Sequence, residues 1–290
     1  MARPLRIELP GAFYHITSRG KGPGPIFRDE MDRQIFLNVC GGALHRHEAA
    51  LLAYCLMEDH YHLVLHTRRA NLSKLLRQLN GVYTRAHNDR HRKAGRLFRA
   101  PVKAILVDPD ACLLPACRHV ELNPVRTNMA ANPGDWKWSS YRTHIGKDSG
   151  LPWLDSQTLY DHLLGRPAMD ANDALEAATR YEHLVEQQQA PNLWQTYLRH
   201  KIYLGDAAFA ARMQALLPPR RRSVEESMSV DGQQIGTPIG EYFQNWTRNK
   251  AIVMAYEEGR YTLAAIARVA GLSIARVSKI IAVQKLGRKS

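Results

Sequence analysis

Apolar and polar positions alternate along Gly11-Ala-Phe-Tyr-His-Ile-Thr-Ser18, which is rich in aromatic and β-branched residues and predicts a first strand. The glycines and prolines of Gly20–Pro25 predict a loop. Asp29 is a candidate N-cap for a helix through Arg33 that runs to about His47. Two strands follow, Leu51–Met57 and His60–His66, broken by a turn at Glu58-Asp59. Helical spacing returns with Leu72, Leu75, Leu76, Leu79 and Tyr83, predicting an amphipathic helix from about Leu72 to Arg92. Val102–Val107 reads as a further strand. Asp108-Pro-Asp then caps a helix over about Ala111–Leu122, which Asn123-Pro124 closes because proline cannot continue it.

The order β-α-β-β-α-β-α over residues 1–146 predicts an α+β domain, a ferredoxin-like split-βαβ antiparallel sheet with helices on one face. Trp136-Lys-Trp-Ser-Ser-Tyr141 predicts an aromatic segment packed at the end of this domain. Residues 147–236 read as a helical connecting segment that ends in a polar linker from Arg220 to Thr237. The C-terminal stretch, 237–290, predicts an all-α helix-turn-helix domain. Thr262 caps Leu263–Ala270, Gly271 makes the turn, and Ser273 caps Ile274–Ile281. Leu263, Ile266, Ala267, Leu272, Val277, Ile280 and Ile281 would form its core, leaving Ser273, Ala275, Arg276, Ser278 and Lys279 outward for a DNA groove.

Charge sharpens this picture. The 290 residues hold 40 Lys and Arg against 27 Asp and Glu, a net charge of +13, which favours a polyanionic partner, nucleic acid above all. The excess is uneven: residues 68–103 hold 11 basic residues and one acid, Asp89, whereas residues 151–200 are acidic. Residues 260–290 carry 7 basic residues and no acid, so two basic regions flank an acidic middle. Arg77, Arg85, Arg96, Arg99 and Lys103, with Arg126, are the candidate phosphate contacts of the first domain; Ser273, Arg276 and Lys279 are those of the second. There is no apolar run long enough to span a membrane and no signal-peptide core, so a cytoplasmic protein without a membrane partner is expected. The four cysteines show no zinc-type spacing and fit a reducing compartment.

His60 and His62 bracket Tyr61 on a strand, so their side chains share one face and Tyr61 takes the other. Two imidazoles on a rigid strand suit a divalent metal; the strand alone also fits an ordinary polar face. In Ala116-Cys-Arg-His-Val-Glu-Leu-Asn123, His119 and Asn123 are four apart and share a helix face. If that face lies over the strand, Asn123 adds an oxygen ligand and His119 stands beside the metal. Open positions for phosphate and water would suit Mg²⁺ or Mn²⁺ phosphodiester chemistry.

Met57-Glu-Asp-His-Tyr-His-Leu63, Arg77-Gln-Leu-Asn-Gly-Val-Tyr-Thr84, Lys103-Ala-Ile-Leu-Val107, Val120-Glu-Leu-Asn-Pro-Val-Arg126 and Trp136-Lys-Trp-Ser-Ser-Tyr141 together resemble the REP-associated tyrosine transposases. That family belongs to the HUH single-strand DNA transposases of bacterial insertion sequences. The resemblance covers about residues 1–146. It implies a ferredoxin-like catalytic domain, a divalent metal, and cleavage of single-stranded DNA near hairpins through a 5′-phosphotyrosine link. It also implies that His60 and His62 are metal ligands with Asn123 the third, and it leaves a homodimer open. The sequence departs from the family at the nucleophile, because His119 stands four residues before the Asn, where the family has its catalytic Tyr. Three readings follow: an impaired transposase that still binds hairpin DNA; an enzyme in which His119 acts as nucleophile or base; or a substitute nucleophile, Tyr83 or Tyr141. A non-catalytic DNA-binding regulator is the alternative of another class.

Overall fold

The computed structural model describes residues 7–187, 193–216 and 237–287. It divides into two compact units, residues 1–216 and 217–290. In the first, β1 (Ala12–Arg19) leads through the Gly20–Pro25 loop to α1 (Glu30–His47). Asp29 caps α1 by accepting from the Asp32 N–H at 2.9 Å, and His45, Arg46 and His47 place positive charge at its C-terminal end. The helix stops at Glu48, whose φ of 52° turns the chain into β2 (Ala49–Leu56). Next come β3 (His60–Thr67), α2 (Leu72–His91), β4 (Lys103–Val107) and α3 (Pro109–Glu121), capped by Asp108. A single further turn, α4 (Asn123–Arg126), follows directly.

The sheet order is β2-β3-β1-β4-β6-β5, and β1, β2, β3 and β4 pair antiparallel. The sequence order of the elements is therefore as read. The placement of the helices is not: they cover both faces of the sheet rather than one. On one face, Phe36 of α1 packs on Tyr61 with ring centroids 4.7 Å apart, and Asn80 of α2 accepts from the Tyr61 hydroxyl at 2.7 Å. On the other, α3 lays Cys112, Leu113, Ala116, Cys117 and Val120 against Val64, Ile105 and Val107. The reason lies in β3 and β4, whose His60, Val64, Ile105 and Val107 are all buried on that second face. A sheet apolar on both sides needs a cover on both sides.

Residues 147–216 also do more than connect. After the single turn α5 (Tyr141–His144), the helices α6 (Ser156–Leu164), α7 (Ala171–Glu186) and α8 (Leu193–Tyr197) are followed by β5 (Leu198–Arg199), β6 (Tyr203–Leu204) and α9 (Ala207–Ala215). β6 joins β4 in parallel register, Leu106 with Tyr203 and Val107 with Leu204. Leu159, Tyr181, Val185 and Leu193 enter the same core as α3. The outer edge of β2 is closed by Ser139 and Leu154, and Trp136 donates from Nε1 to the Leu56 carbonyl at 3.1 Å, so the tryptophan segment is packing, as expected.

The second unit contains, among its described residues, α10 (Ile239–Asn245), α11 (Arg248–Glu257), α12 (Leu263–Ala270) and α13 (Ile274–Gly287). Thr262 caps α12, and Gly271 at φ 64° makes the turn into α13. Ile252, Tyr261, Ile266 and Val277 are fully buried at its centre. Most of the polar linker read from Arg220 to Thr237 lies outside the described residues. No described helix is long and apolar enough to cross a membrane, and all four cysteines are buried and unbridged.

Candidate functional site

Strand register builds the site. Thr17 of β1 pairs with Lys103 on one side and His62 on the other, and Arg19 pairs with His60. His15, Thr17, His60, His62 and Lys103 consequently share the face that α3 covers. His60 donates from Nδ1 to Asp59 Oδ1 at 2.5 Å, which fixes its tautomer and leaves Nε2 as an acceptor. Asn123 Nδ2 meets that Nε2 at 3.2 Å. The Asn123 amide thus reaches the two-histidine strand at the break between α3 and α4, where Leu122 and Pro124 interrupt the helix.

His62 Nδ1 lies 3.0 Å from His15 Nε2 and 3.1 Å from Thr17 Oγ1. The His15 and His62 rings are stacked at 5.2 Å. Burial holds both well below the ordinary histidine range. His119 and Lys103 add to the effect on His15, and His15 and His60 add to it on His62. His15 Nδ1 is buried with no hydrogen-bond partner.

His119 sits at the rim of this group, its ring 5.9 Å from that of His15 and 6.4 Å from that of His62. Burial, then the neighbouring Arg126 guanidinium, pushes its pKa down to about 2, so it is neutral. Both ring nitrogens face donors. Arg126 contacts Nδ1 with Nη1 and Nε2 with Nη2, and Trp194 Nε1 lies 2.9 Å from Nε2. Arg126 also donates to the His119 carbonyl at 2.8 Å and to Asn123 Oδ1 at 3.2 Å. A cleft of about 1500 Å³ opens beside His119, Asn123, Arg126 and Trp194, with Tyr141 and Tyr197 also on its wall.

Tyr61 and Tyr83 stand apart. Tyr61 is buried on the opposite face of the sheet. Tyr83 is buried on that same face and donates its hydroxyl to the Ile26 carbonyl at 2.6 Å. Of the candidate phosphate contacts, Lys103 and Arg126 lie at the histidine face. Arg96 and Arg99 belong to the loop bonded to the end of β1 at Arg19, opposite His60. Arg77 and Arg85 are exposed on α2, which covers the other face. Ser273, Arg276 and Lys279 are exposed on the second unit, as are Ala275 and Ser278.

His15, Thr17, Asp59, Trp194 and Tyr197 were not anticipated. Strand alternation puts His15 and Thr17 on one face, but only the pairing register says that this is the face of His60 and His62. Trp194 and Tyr197 lie some 70 to 80 residues from His119 in the chain, with no local pattern to connect them.

Residues 10–101 match the family model described as transposase IS200 like. The motifs from which the resemblance was read begin in this stretch and continue beyond it to Tyr141. Two solved structures are similar. One is a REP-associated tyrosine transposase bound to a REP hairpin, at 12% identity and a TM-score of 0.45, covering 51% of this chain and 87% of that one. The other is a protein from Deinococcus radiodurans R1 assigned as a transposase, at 16% identity and a TM-score of 0.30, covering 44% and 91%. No curated protein matches the chain.

Proposed function

We propose that this chain is an HUH-class relative of the REP-associated transposases, that its ferredoxin-like split-βαβ domain binds single-stranded hairpin DNA with Mg²⁺ or Mn²⁺, and that its cleavage chemistry is impaired at His119. The observation that carries the reading is the meeting of Asn123 with His60 Nε2 at 3.2 Å, on the strand face that also holds His62. The donor set fits a divalent ion. Asp59 orients His60 from behind, and His15 and Thr17 engage His62 at Nδ1, so an ion would take the Nε2 atoms, displacing Asn123 Nδ2 from that of His60. Asn123 would be the third donor through Oδ1, which accepts from Arg126 at 3.2 Å. Bound there, the ion would polarise a phosphate oxygen. Lys103 and Arg126 would neutralise the phosphates beside it.

Impairment is the favoured reading because the one acceptor nitrogen of neutral His119 lies within reach of the Arg126 and Trp194 N–H donors in either tautomer. The test is a labelled hairpin with Mn²⁺, comparing the chain as written with His119→Tyr, His60→Ala and Tyr197→Phe. Scission gained in His119→Tyr, and absent from the chain as written, supports an intact metal site without its nucleophile. Scission by the chain as written that survives Tyr197→Phe but not His60→Ala assigns attack to His119; loss in Tyr197→Phe assigns it to Tyr197. Failure of all four proteins to bind the hairpin above a scrambled strand overturns the reading.

A second reading has support in the C-terminal unit. Ser273, Arg276 and Lys279 are exposed on and just before α13, where the chain is free of acids, and α12-Gly271-α13 would act as a helix-turn-helix reading duplex DNA. The protein would then be a DNA-binding regulator. Arg276→Ala and Lys279→Ala should each weaken duplex binding and lower its salt slope by about one. Unchanged affinity removes this reading.

A further inference from the structure

On the face of the sheet away from His60 and His62, α1 and α2 bring together a second group of metal-binding side chains. His87 and His91 are one turn apart on α2, their rings 4.5 Å from each other. Asp32, in the first turn of α1, lies 2.9 Å from His91 Nε2 through either carboxylate oxygen. One ligand atom from each of the three lies within 4.8 Å of the others, and among the described residues this is the one such group of three.

A carboxylate near the start of a helix would mean little alone. The independent sign is His87, which is 2% exposed and has no hydrogen-bond partner on either ring nitrogen. A buried imidazole with both nitrogens unmet is destabilising, and ligation of a metal would satisfy one of them. We propose that Asp32, His87 and His91 form a second metal site, for Zn²⁺ or a divalent ion of similar preference, that ties α1 to α2 independently of the His60 and His62 site. Two imidazoles and one carboxylate are a tetrahedral Zn²⁺ set with one position left for water.

Arg90 is the competitor. Its Nη1 contacts Asp32 Oδ1 at 2.5 Å, and the same guanidinium holds Asp29 at 2.6 and 2.9 Å. Asp29 can retain the guanidinium when an ion takes Asp32. The site is therefore expected to bind more tightly once Arg90 is neutralised.

The test uses the full chain, stripped of metal, in a His60→Ala/His62→Ala background so that the other site cannot contribute. Titrated with Co²⁺, this parent should take one equivalent and develop the intense visible absorption of tetrahedral Co²⁺, which Zn²⁺ then displaces. His91→Gln should weaken Co²⁺ binding at least about 100-fold, the loss expected on removing a direct ligand. Arg90→Gln should strengthen it. Zn²⁺ should also raise the melting temperature of the parent and not that of His91→Gln. Absence of the tetrahedral band from the parent, or a band unchanged in a folded His91→Gln, overturns the site. If circular dichroism finds His91→Gln unfolded, a parent whose melting temperature does not respond to Zn²⁺ overturns it equally.

Discussion

The two faces of one sheet are built on opposite terms. Beneath α1 and α2 the core is aromatic: Phe36 touches Phe27, Tyr61 and Tyr83 with centroids 4.7 to 5.3 Å away, and the Tyr61 and Tyr83 hydroxyls both have partners. Beneath α3 the far end of the same strands carries His15, His60 and His62, with His119 of α3, Arg126 and Lys103 beside them. There, burial suppresses the charge of His15, His62 and His119, and His15 Nδ1 has no partner. The first face contributes stability. The second gives up some of it by holding His15, His62 and His119 neutral and close together. Strand alternation makes such a division available, because neighbouring residues such as Tyr61 and His62 belong to different faces.

The largest expected effect is on the aromatic face. Phe36→Ala should cost about 3–5 kcal/mol by urea denaturation, since a fully buried ring among three others leaves a cavity that cannot collapse. A loss below about 1 kcal/mol would mean that this face is not where stability resides. Next comes a buried carboxyl group at the end of α3. Glu121 is fully buried, with its carboxylate accepting from Tyr181 at 2.6 Å and from Ser140, and with His144 Nδ1 2.8 Å away. Glu121→Ala should lower stability by about 3 kcal/mol by stranding these partners. A melting curve matching the parent's would show that the group is dispensable.

The histidine face should reveal itself through pH when metal is chelated. His15, His62 and His119 are held below the ordinary histidine value, so above about pH 6.5 they are neutral whether folded or unfolded and add no pH dependence. As pH falls through about 6.5 the unfolded chain takes up protons that the folded chain refuses. Stability then drops, by up to about 1.4 kcal/mol per pH unit for each histidine. Urea midpoints that do not move between pH 7.5 and 5.5 would contradict this. The smallest effect has the opposite sign to Phe36→Ala. His15→Leu removes a buried unpartnered nitrogen and should raise stability by about 1 kcal/mol at neutral pH while making the acid slope shallower. A destabilised His15→Leu with an unchanged slope would erase the contrast between the faces.

Much of this was legible in the sequence. Asp29, Asp108 and Thr262 announced their helices because a capping side chain acts on N–H groups only a few residues away. The order of strands and helices, the outward set of α13, and the isolation of Tyr61 from His60 and His62 all follow from periods of two and 3.6, which are local. Tertiary structure decided what pairs with what. That α3 lies opposite α1 and α2 depends on which strand face is left uncovered. That His15 joins His62 depends on the β1–β3 register. That Trp194 and Tyr197 reach His119, and that Asp32 meets His87 and His91, depends on chain segments far apart in sequence being packed onto one core. Local periodicity fixes which way a side chain points, but only the packed sheet fixes what it meets.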